Sequence, residues 1–229
     1  MNADNFAALR QSMIEQIAVQ AIYVSARVGK AAFARRVMQV MDKVPRHAFV
    51  PIELQPYAYA NSPLPIGFDK TISQPFIVAL MTDLLDVQPN DTVLEIGTGL
   101  GYQAAIVAAL AQKVYSIEVI EELSEQAKKR LSRLGFVNIE LKIGNGYHGW
   151  AEHAPFDKVV VTAAPELIPP PLIDQLKPGG TMVIPAGLAN AQQLILIEKD
   201  SHERVTTKEI LPVRFSQLEG PDPHARSAQ

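Results

Sequence analysis

The stretch Val93-Leu94-Glu95-Ile96-Gly97-Thr98-Gly99-Leu100-Gly101-Tyr102 limits what this chain can fold into more than any other. An apolar run with the character of a buried strand meets three alternating glycines, and a helical pattern follows. That is the nucleotide-binding turn of an α/β sheet. Gly97 can take a positive φ, and Gly99 lets a ligand approach the backbone. A helix opening after Gly101 aims free N–H groups and partial positive charge at whatever binds there.

The spacing narrows the ligand. A dinucleotide fingerprint is G-x-G-x-x-G, and Tyr102 stands where its last glycine belongs. Glu95, just before the first glycine, suits a cationic ligand better than a pyrophosphate. S-adenosylmethionine, with an ammonium and a sulfonium, fits. The E-x-G-x-G-x-G pattern resembles motif I of the Rossmann-like methyltransferases; a plain strand–helix turn is the competing reading. Lys113-Val114-Tyr115-Ser116-Ile117-Glu118 reads as the next strand. Glu118 lies about 20 residues beyond the glycines, where a carboxylate reaches ribose hydroxyls. Alone, it would read as a solvated acid at a helix start.

Periodicity supplies the architecture. Residues 5–24 and 30–43 read as amphipathic helices, the second ended by Pro45. Residues 44–73 hold five prolines and read as an ordered loop across the top of a sheet, too apolar for a disordered linker. A helix follows at 75–86. Strands are expected at 92–96, 113–117, 138–143, 158–163, 181–185, 192–197 and 205–214, with helices at 102–111, 119–134 and 167–176. This alternation predicts a mostly parallel sheet with helices on both faces. The last two strands lack an intervening helix, so they form a hairpin and place an antiparallel strand at the C-terminal end of the sheet. Residues 1–219 thus read as one domain, with N-terminal helices and covering loop over 1–73 and a Rossmann-like core over 74–219. Residues 220–229 read as a disordered tail.

Composition excludes several functions. A formal net charge of −3 gives no electrostatic footprint for nucleic acid. The chain has no cysteine, hence no disulfide, thiol nucleophile or thiolate metal site. Its five histidines are scattered, with no metal-binding spacing. Residues 1–20 lack the apolar core of a secretory signal, and no apolar run could span a bilayer. The expectation is a cytoplasmic monomer without metal, nucleic-acid or membrane partners.

The acceptor is marked by Leu64-Pro65-Ile66-Gly67-Phe68-Asp69-Lys70-Thr71-Ile72-Ser73-Gln74-Pro75. With its P-I-G loop and T-I-S-Q-P, this segment resembles the protein-L-isoaspartate O-methyltransferases. The likeness extends from Val44-Pro45-Arg46-His47-Ala48-Phe49-Val50 through motif I, Gly144-Asn145-Gly146, Ala154-Pro155-Phe156-Asp157 and Thr162-Ala163-Ala164-Pro165, to Leu176-Lys177-Pro178-Gly179-Gly180. It covers about residues 40–218. It implies a Rossmann-like class I methyltransferase fold and methyl transfer from S-adenosylmethionine to the free α-carboxylate of isoaspartyl residues in damaged proteins. The ester returns to a succinimide, whose hydrolysis regenerates some aspartate. D-aspartyl residues form a weaker substrate class in that family.

The same resemblance implies site residues. Ser73 is the candidate catalytic residue, and Ile72 and Ser73 would hold the substrate. Gly67, Glu95, Gly97, Gly99, Glu118, Val119, Asn145 and Gly146 would line the cofactor. From local pattern alone, Ser73 reads first as a helix N-cap ahead of Pro75, and only the resemblance favours the substrate role. Asn145 stands where the family has an aspartate that contacts the adenine amine, and its amide oxygen can still accept. Asp69-Lys70 stands where the family often has Gly-Gln, and Phe215-Ser216-Gln217-Leu218 where it often has Phe-Val-Pro-Leu. These departures keep alive a methyltransferase of the same fold with another acceptor, while Glu95, Gly97, Gly99 and Glu118 would also suit a non-catalytic S-adenosylmethionine-binding module.

Overall fold

Apolar runs in the sequence become the strands of one central sheet, and amphipathic stripes become the helices that cover it. The computed structural model describes residues 3–219, with side chains from residue 5. The tail expected at 220–229 lies outside the described residues. The chain begins with helices α1 (Ala3–Val28) and α2 (Arg35–Lys43), then a hairpin of β1 (Leu64–Gly67) and β2 (Lys70–Ile72). Helix α3 (Pro75–Leu85) leads into the alternating core: β3 (Thr92–Ile96), α4 (Tyr102–Ala108), β4 (Lys113–Glu118), α5 (Glu121–Arg133), β5 (Ile139–Ile143) and β6 (Phe156–Val161). Helix α6 (Pro170–Asp174), β7 (Leu176–Ala186), β8 (Gln192–Lys199) and β9 (Val205–Val213) complete it.

The seven core strands lie in the order β5-β4-β3-β6-β7-β8-β9. Strands β3 to β7 are mutually parallel, β8 is antiparallel to β7, and β9 is antiparallel to β8. The expected hairpin therefore reverses β8 alone and restores the common direction in β9. From β3 the chain runs outward through β4 and β5, then crosses back to β6 on the other side of β3. Such a switch point opens a crevice at the carboxyl ends of the strands, where α/β sheets bind ligands.

Strand alternation divides the core. Val93, Val114, Val160 and Val183 face a cluster that includes Met13, Ile17, Val37, Met41 and Leu80 of the first three helices. Leu94, Ile96, Val159, Val161 and Met182 face a second cluster with Leu172 and Trp150. The N-terminal helices thus share the larger core with the sheet. Helix α2 starts later than its pattern implies because Asp83 of α3 accepts from the Ala34 N–H at 2.6 Å and fixes the entry. Helix α6 is shorter than 167–176, with Pro169, Pro170 and Pro171 at its start; proline lacks the N–H that helix continuation uses.

The covering segment is tied down by one buried arginine. Arg46 is fully buried; its Nε donates to the Ala58 carbonyl at 2.8 Å, and its guanidinium lies 4.9 Å from the Tyr102 ring centre. It clamps the segment before β1 onto the first residue of α4. Burial pushes its pKa down to about 10, partly opposed by Tyr102, so the charge persists at neutral pH. Both terminal nitrogens are buried without a partner. Packing and one hydrogen bond therefore carry its contribution. We expect Arg46→Ala to lower unfolding free energy by about 2–4 kcal/mol through cavity formation, and Arg46→Met by clearly less. Denaturant unfolding checks this; equal losses would mean that the charge rather than the packing matters.

Candidate active site

The glycine turn follows β3 in a conformation that only glycine takes freely. Gly97, Gly99 and Gly101 have φ of 94°, 54° and 94°. A Cβ on Gly97 would lie 2.5 Å from Thr162 Oγ1. That hydroxyl donates toward the Gly97 carbonyl at 2.6 Å and the Ile96 carbonyl at 3.1 Å, fastening the turn to the end of β6. On the other side, Glu118 at the end of β4 accepts from the Gly99 N–H at 2.7 Å through Oε2. Its Oε1 accepts from the N–H groups of Val119 at 3.0 Å and Ile120 at 3.1 Å.

Gly97, Gly99, Glu118, Val119, Gly146, Ile72 and Ser73 line one cavity over the switch point. All seven are expected near a ligand, and the structure brings them together. A carboxylate offers about four lone-pair positions. Three of those on Glu118 already hold backbone N–H groups, which leaves room for one further strong donor rather than the two ribose hydroxyls expected.

Three expected cofactor residues sit elsewhere. Glu95 is fully buried and is not on the cavity wall. It alternates with Ile96 onto the opposite face of β3 and lies beside Ser116 of β4, whose hydroxyl donates to its Oε2. Thr98 extends the chain, 2.6 Å from Ser116 Oγ. Burial pushes the Glu95 carboxyl up to about 8, against the hydrogen bond from Ser116 and with the Glu118 charge adding to the rise. At neutral pH it is therefore mostly uncharged, so it supports the turn from below instead of offering a negative charge to a cation.

Gly67 also lies off the cavity wall. With φ of 91° it leads into the tip of the β1–β2 hairpin, where Phe68 and Asp69 hold φ of 55° and 54°. Both tip residues are exposed, and Ile66 rather than Gly67 reaches the cavity. Pattern alone reads the hairpin as loop, because Phe68-Asp69 lacks the Asn-Gly signal of a two-residue turn. Asn145, the third, uses its Oδ1 to accept from the Tyr147 N–H at 2.9 Å, capping a 3-10 turn at Gly146–His148. Its Nδ2 is buried without a partner. Its neighbours Gly144 and Gly146 line the cavity, Gly146 as expected. Gly146 is required there, since a Cβ would lie 2.2 Å from Ile96 Cγ2.

Ser73 stands free of the cap role. The N-cap of α3 is Gln74, without a side-chain cap bond, and Asn61 Oδ1 accepts from the Phe76 N–H at 3.0 Å instead. The Ser73 hydroxyl makes no hydrogen bond among the described residues. It lines the cavity and also an adjoining groove of about 650 Å³.

The roof is a strap over residues 214–219, which sequence analysis registered only as a departure from the family pattern. Gln192 grips Phe215 at both ends, accepting from its N–H at 2.6 Å and donating to its carbonyl at 3.1 Å. Ala164 donates to the Ser216 carbonyl at 2.8 Å and accepts from the Leu218 N–H at 2.9 Å. Lys70 of the hairpin pairs with Glu219 at the end of the strap, and both line the cavity. Thr162 likewise has no role assigned by the sequence pattern. A threonine directly after an apolar strand facing a glycine turn was the available signal.

The donor set fits S-adenosylmethionine. A carboxylate with an acceptor position to spare suits a ribose hydroxyl, and Ile117, Val119 and Leu123 give apolar wall for a flat base. The glycines keep Cβ atoms out of the cradle. No cluster of metal-ligating side chains occurs among the described residues.

The buried acid beneath the turn makes stability depend on pH. The carboxyl of Glu95 moves from an ordinary value of about 4.3 to about 8 in the fold. Between these values the folded state holds a proton that the unfolded state has lost. Stability therefore falls as pH rises through that window and levels off above it. Glu95→Gln removes the dependence. The melting temperature of the variant minus that of the wild type should grow between about pH 5 and pH 8 and then stay flat. A difference independent of pH would contradict the buried-acid account.

Comparison with known proteins agrees with this geometry. The family model described as protein-L-isoaspartate (D-aspartate) O-methyltransferase matches residues 18–221. A curated protein-L-isoaspartate O-methyltransferase 1 from Polaromonas sp. is 67% identical over 223 residues, covering 97% of this chain and 94% of its own. A solved protein-L-isoaspartate O-methyltransferase superposes with a TM-score of 0.78 at 26% identity, over 92% of this chain and 66% of the longer neighbour, just under two thirds. A structure from Plasmodium falciparum, described as a complex of such a methyltransferase with S-adenosyl-L-homocysteine, shares the fold with a TM-score of 0.75 at 22% identity, over 92% of this chain and 98% of that one. The chain belongs to the protein-L-isoaspartate (D-aspartate) O-methyltransferase family.

Proposed function

We propose that this chain methylates the free α-carboxylate of L-isoaspartyl residues, starting their return to aspartate through a succinimide, and that Ser73 holds the carboxylate. The observation that carries the residue assignment is the uncommitted Ser73 hydroxyl on the wall shared by cavity and groove. When bound, S-adenosylmethionine supplies an activated methyl on its sulfonium. Glu118, Gly97, Gly99, Val119 and Gly146 would hold it.

The remaining work is positional. A carboxylate with pKa near 4 is ionised at neutral pH, so no general base is needed. The Ser73 hydroxyl donates to one carboxylate oxygen and leaves the other free to react. The backbone at Ile72 and Ser73 fixes the isopeptide linkage. The strap over residues 214–219 and the hairpin keep water from the reacting end, so alignment and exclusion supply the rate. Residues 1–219 act as one unit in this reading, supported by the core that α1–α3 share with the sheet. A monomeric, cytoplasmic enzyme without nucleic-acid or membrane partners belongs to the same reading. The modest net charge of −3 supports it, and no described helix is long and apolar enough to cross a membrane.

Two variants separate the roles. Ser73→Ala should lower kcat on an isoaspartyl peptide roughly tenfold or more, the scale of a hydrogen bond to a charged group. Its affinity for S-adenosylhomocysteine should be nearly unchanged; unaltered turnover would remove Ser73 from the reaction. Glu118→Ala should weaken S-adenosylhomocysteine binding and also lower the melting temperature, because it frees three backbone N–H groups. Titration calorimetry and thermal melts read both, and unchanged affinity would make Glu118 a purely structural residue.

A further inference from the structure

Beside the cofactor cavity runs the groove of about 650 Å³, which shares Thr71, Ser73, Thr162 and Ser216 with it. One wall is the C-terminal part of α1, with Gln20, Tyr23 and Val24. The other is the end of β9 and the start of the strap. Because the groove opens at Ser73, a polypeptide whose carboxylate rests on that hydroxyl has its neighbouring residues in the groove. The occupant is therefore the substrate chain flanking the damaged residue, an inference that rests on the reaction proposed above.

The groove is lined by neutral side chains save one, Arg214. Arg214 is exposed and makes no hydrogen bond or ion pair among the described residues. Its backbone is nonetheless fixed by the next two residues, since Gln192 holds Phe215 and Ala164 holds Ser216. Lys70, the other cation near the reacting end, belongs to the cofactor cavity and is neutralised by Glu219. Tyr23, 82% exposed on the facing wall, offers an aromatic surface without charge. An unpaired guanidinium anchored at one wall of a neutral groove attracts carboxylates and repels ammonium groups.

We infer that Arg214 is a specificity-determining residue that favours isoaspartyl substrates with an acidic side chain beside the damaged residue. The test uses one isoaspartyl host peptide with Glu, Gln or Lys placed, one position at a time, at the two residues on either side. The kcat/KM of each is measured by labelled methyl transfer with the wild-type enzyme, Arg214→Gln and Arg214→Glu. Ratios between peptides are read within each enzyme, so a general loss of activity cancels. At one or more positions the wild type should favour Glu over Lys by roughly threefold, the scale of a solvent-exposed charge pair. The preference should shrink as salt is raised. It should vanish in Arg214→Gln and reverse in Arg214→Glu; Arg214→Gln suffices if the reversal variant does not fold. Glu-to-Lys ratios that are the same in the wild type and the variants would overturn the inference while leaving the reaction intact. Failure of the wild type on every isoaspartyl peptide would sink the reaction assignment, and the inference with it.

Discussion

One carboxylate organises the top of this molecule. Glu118 sits at the end of β4 and accepts backbone N–H groups from the glycine turn and from the approach to α5. Charge-assisted bonds of this kind are among the stronger contacts a chain can make. They fix the turn after β3 against the neighbouring strand, while Thr162 fixes it from the β6 side. The turn is held between the two, so the chain's own bonds shape the cradle. The same bonds leave Glu118 with little acceptor capacity to spare, so structural and binding roles compete on one side chain.

Beneath that turn lies a second acid with the opposite fate. Glu95 is one strand position from Ile96, yet alternation sends it into the core, where Ser116 meets it. A buried carboxylate without a countercharge keeps its proton. The pair of acids near the turn thus divides into a neutral support and a charged acceptor. The roof depends on weaker links: an amide grip from Gln192, a short bridge to Ala164, and the Lys70–Glu219 pair. Partly exposed ion pairs contribute little to stability, so the Gln192 and Ala164 hydrogen bonds carry most of the strap's attachment.

Much of this was legible in the sequence because it rests on local pattern. The run Thr92-Val93-Leu94 and the run Val159-Val160-Val161 mark buried parallel strands, and β3 and β6 are the neighbours that flank the crevice. The missing helix before β9 announced the terminal hairpin. What the pattern did not carry was direction. Glu95 precedes a glycine turn in sequence, but its side chain follows the strand's period of two, and Ser116 in an otherwise apolar strand was the clue to its partner. Gly67, Asn145 and Gly146 are placed by likeness to a motif; of these only Gly146 reaches the cavity wall, and Ile66 lines it beside Gly67. The role of Asn61 in capping α3 is a contact across 15 positions. Local sequence around Ser73 could not reveal that its hydroxyl was left over.

In the proposed reaction a carboxylate placed as in an isoaspartyl residue meets the methyl donor beside Ser73. The most direct test is methyl transfer from labelled S-adenosylmethionine to two peptides that differ only in isoaspartate or aspartate at one site. Base-labile label on the isoaspartyl peptide alone is the predicted result. Equal labelling of both peptides, or none on either while S-adenosylhomocysteine binds, would contradict the account.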